Sequence, residues 1–120
     1  MTRKELEDYL LAKPYTRIDY PFGEQVGVYK TNITPLKKGK SAKDESDEKM
    51  FALVTEKDPI NISLKCDPEL SKILREKYES VMPGYHLNKV HWNTIVVSGQ
   101  LDDQEIFDLV DLSYRLVTES

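Results

Sequence analysis

The first apolar positions of the chain, Leu6, Tyr9 and Leu10, fall at the three- and four-residue spacing of one helix face. Thr2 followed by Glu5 forms a capping box at the start of that helix, each residue satisfying an amide of the other. Pro14 ends it, because the residue before a proline avoids the helical region. The stretch PYTRIDYPFGEQVGVYK reads as a loop running into a strand around Gln25 to Lys30, with Tyr15, Tyr20 and Phe22 expected to cover the sheet edge. The next stretch, TNITPLKKGKSAKDESDEK, has no apolar period and reads as a mobile hairpin loop over about residues 31–48.

Strand character resumes in KMFALVT (49–55), and INISLK (60–65) alternates strictly, with Ile60, Ile62 and Leu64 on one face. Asp58-Pro59 supplies the turn between them. Asp67 then reads as an N-cap with Pro68 at the first helical position, and Leu70, Ile73, Leu74, Tyr78 and Val81 share a face until Pro83-Gly84 stops the helix. WNTIVVSG reads as a further strand that exits at Ser98-Gly99. Asp102 and Glu105 open a last helix carrying Ile106, Leu109, Val110, Tyr114 and Val117. The order is helix, three strands, helix, one or two strands, helix. Short strand connections imply an antiparallel sheet, so the fold class is α+β, a two-layer sandwich with the helices packed on one face. No internal repeat is visible, and the 120 residues are expected to form one domain.

Charge narrows the function. Acids outnumber Lys and Arg by 21 to 17, and the net charge is −4. Dedicated nucleic-acid binders carry a basic excess, since phosphate contacts supply most of their affinity, so such a role here must rest on a local patch. The single cysteine, Cys66, excludes an internal disulfide and suits a reducing compartment. MTRKELEDYL has no apolar signal-peptide core, and no apolar run approaches the roughly 18 residues that span a bilayer. A cytoplasmic monomer with no membrane contact is the expectation.

The densest chemistry lies in PGYHLNKVHWNT, residues 83–94, which holds both histidines and the only tryptophan. His86 and His91, five positions apart with one distant cysteine, match no standard zinc spacing, so no metal or cofactor is expected. Cys66 precedes a helix start whose dipole would lower its thiol pKa, yet no partner group accompanies it, and a structural thiol is the simpler reading. No G-x-S-x-G, phosphate loop or H-E-x-x-H occurs, and a non-enzymatic protein is expected. The carboxylates of the last helix are explained by capping and by a solvated face.

From Ser80 to Leu101 the chain has no acidic residue. Lys65, His86, Asn88, Lys89, His91, Trp92 and Asn93 are therefore the candidate nucleic-acid-binding residues, with Lys72 and Arg75 as possible neighbours from the preceding helix. The bland alternative is that Trp92 and Tyr85 are core and Asn88-Lys89 a turn.

LKCDPELSKILREKY, PGYHLNKVHWNT and DLVDLSYRLV together resemble the MmcQ/YjbR family of small bacterial proteins, over essentially the whole chain. The matching motif residues are Lys65, Asp67 and Pro68, then Pro83 to Lys89 and His91 to Thr94. The resemblance implies a CyaY/frataxin-like arrangement, also described as a double wing, and a DNA-binding label that rests on fold analogy. The stretch 31–49 is longer than the resemblance leads one to expect. Frataxin-like iron binding through an acidic first helix does not transfer, because Arg3 and Lys4 offset Glu5, Glu7 and Asp8. The expected function is weak DNA binding through residues 83–94, strengthened as histidines protonate below a reference pKa of about 6.5. The alternatives are a small-ligand or peptide-binding module and a protein-interaction scaffold.

Overall fold

Both capping boxes form. The hydroxyl of Thr2 accepts from the Glu5 amide at 3.1 Å and the Thr2 amide donates to the Glu5 carboxylate. Asp102 and Glu105 repeat the exchange, and Asp67 caps the middle helix by accepting from the Glu69 amide. The computed structural model describes residues 1–32 and 48–119, so residues 33–47 of the loop read as mobile lie outside the described residues. In chain order the elements are α1 (Arg3–Leu11), β1 (Thr16–Asp19), β2 (Val26–Thr31), β3 (Lys49–Thr55), β4 (Asn61–Lys65), α2 (Pro68–Lys77), β5 (Val81–Pro83), β6 (Trp92–Val96) and α3 (Asp103–Thr118).

The strands form one six-stranded antiparallel sheet in the order β1-β2-β3-β4-β6-β5. Its alternate residues Tyr29, Ala52, Val54, Ile62, Leu64, Ile95 and Val81 join Leu6 and Leu10 of α1 and Ile106, Val110 and Val117 of α3 in one buried core. A register shift between Tyr29 and Lys30 leaves Phe51 as an extra residue on β3. Phe51 is fully buried and meets Tyr114 of α3 edge-on, ring centroids 5.3 Å apart. Ser113 of α3 fastens the same place, donating to the Phe51 carbonyl and accepting from the Lys65 amide at 2.9 Å.

Three readings of the sequence need correction. The first is the loop at 15–25, which contains strand β1. TRID is too short and too polar to show an alternating period, and pairing with β2 makes it a strand. The second is the cover expected from Tyr15, Tyr20 and Phe22, all three of which are exposed. The third concerns α2, which ends at Lys77, and Val81 begins β5 instead. Its fully buried position is Ser71, whereas Ile73 is 59% exposed, because the helix turns a small polar residue towards Asn93 of β6.

Helices α1 and α3 are joined by a polar seam at their flank. The Tyr9 phenol donates to Asp111 at 2.7 Å, and Lys13 pairs with the same carboxylate. Tyr114 donates to the Pro14 carbonyl at 2.7 Å. Burial pushes the Tyr9 phenol up to about 12, helped by the hydrogen bond and charge of Asp111 and the charge of Asp108. Tyr29 is also raised, again chiefly by burial. An unfolded chain ionises its phenols near pH 10, so it releases protons before the native state does. Both tyrosines therefore contribute stability that is intact below about pH 10 and declines as pH rises towards about 12. Urea midpoints measured through that alkaline range should fall steadily, and a Tyr9→Phe variant should fall less.

Candidate functional site

The 83–94 segment is a hairpin. Pro83 closes β5, residues 84–91 form the loop, and Trp92 opens β6. Its ends are pinned by a bond from the Gly84 amide to the Trp92 carbonyl at 2.8 Å. Glycine is needed there, since a Cβ at position 84 would lie 2.7 Å from the Trp92 Cβ. Asn88 shapes the interior of the loop. Its side-chain oxygen accepts from the amides of Val90 at 2.9 Å and His91 at 3.3 Å, and its carbonyl accepts from the Trp92 amide. Lys89 reaches back across the loop and donates to the Gly84 carbonyl at 3.2 Å.

Arg75 holds this loop against α2. Its Nε donates to Asn93 Oδ1 at 2.8 Å, and one terminal nitrogen reaches the carbonyls of Lys89 and Trp92. Asn93, 2% exposed, passes its amide hydrogen on to the Ser71 hydroxyl at 3.1 Å. A second polar chain lies on the opposite face of the sheet, where Ser63 and Thr94 share a hydrogen bond at 2.8 Å and Thr94 accepts from the Tyr85 amide.

The seven candidate residues thus divide. Trp92 and Asn93 are buried and leave the surface set, because an inward side chain offers nothing to a polyanion. Asn88 has spent its acceptor on the loop. His86, Lys89 and His91 remain exposed on the loop, and the half-buried Lys65 stands beside its stem, paired with Trp92 in the register. His86 has a positive φ of 60°, and its ring lies 3.9 Å from that of Tyr85. Tyr85 is 70% and Val90 58% exposed. Arg75, considered from the sequence as a surface charge, is an internal anchor. No periodic signal distinguishes those roles for an arginine on a helix that also has a solvated face.

Cys66 is buried, and burial pushes its thiol up despite a hydrogen bond with Ser71 that lowers it. The lowering expected from the helix start is therefore overcome. Among the described residues, no three His, Cys, Asp or Glu side chains converge in a way that could hold a metal ion. Among them, too, no helix is long and apolar enough to cross a membrane.

The family model described as YjbR matches residues 11–116, which takes in the whole sheet, α2, the hairpin loop and most of α3. The chain belongs to the YjbR family. It is 35% identical over 116 residues to YjbR of Escherichia coli strain K12, covering 96% of this chain and 86% of that one. YyaQ of Bacillus subtilis strain 168 is 29% identical over 127 aligned residues, covering 97% of this chain and 98% of that one. The crystal structure of Deinococcus radiodurans protein DR2400 superposes with a TM-score of 0.85 at 32% identity, over 99% of this chain and 80% of that one. A crystal structure from Pseudomonas syringae follows at a TM-score of 0.73 and 29% identity, covering 98% and 99%. The arrangement of three helices and a six-stranded antiparallel sheet is therefore the YjbR-type α+β fold.

Proposed function

We propose that this YjbR-family domain acts by binding and not by catalysis, through a weak, salt-sensitive contact between its 84–91 loop and nucleic acid in the cytoplasm. The observation that carries the reading is the exposed Tyr85–His86 ring pair, presented beside Lys89 and His91 on a segment without carboxylates. Exposed rings give bases a face to stack on, and neighbouring cations attract phosphates without reading sequence. The surface so defined is small and the whole chain is acidic, which accords with weak binding of little sequence preference.

Fluorescence anisotropy with labelled single- and double-stranded oligonucleotides, at about pH 6 and over a salt series, tests this. The expected result is binding that weakens steeply with salt, favours the single strand, and drops several-fold in Tyr85→Ala and in Lys89→Ala. Unchanged anisotropy at low salt would overturn the proposal. The exposed Val90 favours a second reading, a protein partner docking on the same loop. Under that reading Tyr85→Ala would abolish capture of the partner while oligonucleotides give no signal with either protein.

A further inference from the structure

The two edges of the sheet differ in what they leave open. At the β5 edge the outward positions are Val81 and Pro83, because Ser80 and Gly84 bond inward to β6. The Val81 amide is already taken by the Tyr78 carbonyl at 3.1 Å, and Pro83 has no amide to offer. That edge is closed to a further strand. At the β1 edge, Tyr15 bonds inward through the Asn32 amide, so the alternation along the strand turns the backbone groups of Thr16 and Ile18 outward. Among the described residues no group takes either outward amide. Such a strand is a template for another.

We infer that β1 pairs antiparallel with β1 of a second copy of this chain about a two-fold axis at Ile18, joining two sheets into one. The sequence TRID is complementary to itself in that register. Ile18 meets Ile18 as a hydrogen-bonded pair, each copy donating one amide and accepting through one carbonyl. Arg17, held by Glu48 of its own chain, then stands opposite the partner's Asp19, itself bonded to Lys30, so opposite charges face each other twice by symmetry without either side chain being free. Beyond the ends of β1 the chain turns, leaving Tyr15 and Phe22 exposed, at 52% and 71%, beside the paired strands. These are aromatic residues that the monomer leaves uncovered at either end of its open edge. With only two outward residues per copy, the pairing is weak and concentration-dependent, and it replaces the monomer expected from the sequence. It uses the edge remote from the 84–91 loop and stands or falls independently of nucleic-acid binding.

Sedimentation velocity of the full chain, from low micromolar to submillimolar concentration, reads the association directly. The expected result is a monomer–dimer equilibrium that Ile18→Pro abolishes, with circular dichroism confirming that the variant keeps its fold. On the backbone, proline removes an outward amide at an edge position, which sheets tolerate. Because the Ile18 side chain also packs against the core, amide hydrogen exchange of the unaltered protein gives a second reading. The Ile18 amide should gain protection as concentration rises, while the Val81 and Gly84 amides do not change. A monomer at every concentration, a dimer that persists in folded Ile18→Pro, or an Ile18 amide whose exchange ignores concentration would each overturn the inference.

Discussion

Arg75→Ala is expected to lower the stability of the domain by about 3 kcal/mol and to loosen the 84–91 loop. The arginine satisfies three acceptors at once, the side-chain oxygen of Asn93 and the carbonyls of Lys89 and Trp92. Removing it leaves the Asn93 oxygen with no partner in a site 2% exposed to water. An orphaned buried acceptor costs roughly 1–3 kcal/mol, and the two carbonyls add to that as far as water fails to reach them. Lysine is a poor substitute, since a single ammonium cannot span the fork of acceptors that a guanidinium fits. Arg75→Lys should therefore recover less than half of the loss. Urea unfolding of the three proteins measures the ordering, and hydrogen exchange at the Trp92 amide, bonded to Asn88 within the loop, reports the loosening. Wild-type stability in Arg75→Ala would mean that the loop is held by its own turn and not by α2.

Phe51→Ala should cost more, about 4 kcal/mol, the range for truncating a buried phenylalanine. Its ring is the largest of the fully buried side chains and fills the space between the bulged β3 and Tyr114 of α3. The surroundings have little freedom to collapse, because Ser113 ties α3 to the backbone of Phe51 itself and of the neighbouring Lys65. For a domain whose total stability is of the usual order, about 5–15 kcal/mol, such a loss removes a large share and should lower the thermal midpoint by well over ten degrees. A cost near 1 kcal/mol would show that α3 settles into the gap, and with it that the bulge is not fixed by the packing described. The two substitutions lie on separate hydrogen-bond networks and should add.

What the sequence made legible followed from how local each signal was. The caps at Thr2, Asp67 and Asp102 each depend on residues two or three positions away, and all three form. Strict alternation in INISLK marked β4, and the periodic α3 ran where its apolar face placed it. The order of strands, with β6 inserted between β4 and β5, depends on contacts between distant segments and left no local trace. The same holds for β1, a strand by virtue of its partner alone. In the candidate site, the acid-free window located the loop, and the bland reading holds for Trp92 as core and Asn88-Lys89 as a turn but fails for Tyr85, which is 70% exposed. Asn93 and Trp92 were misplaced because a polar or amphipathic residue reads alike whether it faces water or a buried partner. For Asn93 the position of Arg75 and Ser71, set by the packing of α2, decides between them.

The seam between α1 and α3 governs how the chain finds this structure. Tyr9 meets Asp111 and Pro14 meets Tyr114 across separations of 102 and 100 residues, so the seam joins segments far apart in the sequence. Contacts that distant are slow to close, because most of the loop-closure entropy is lost before they form. On the ribosome, α1 can pack on β1, its near neighbour in the chain, but the Tyr9–Asp111 and Tyr114–Pro14 bonds wait until α3 has emerged. The strands and α2, whose neighbours are nearer in sequence, can assemble first. The seam is then the last piece to lock, and the alkaline loss of the Tyr9 bond should loosen it before the sheet.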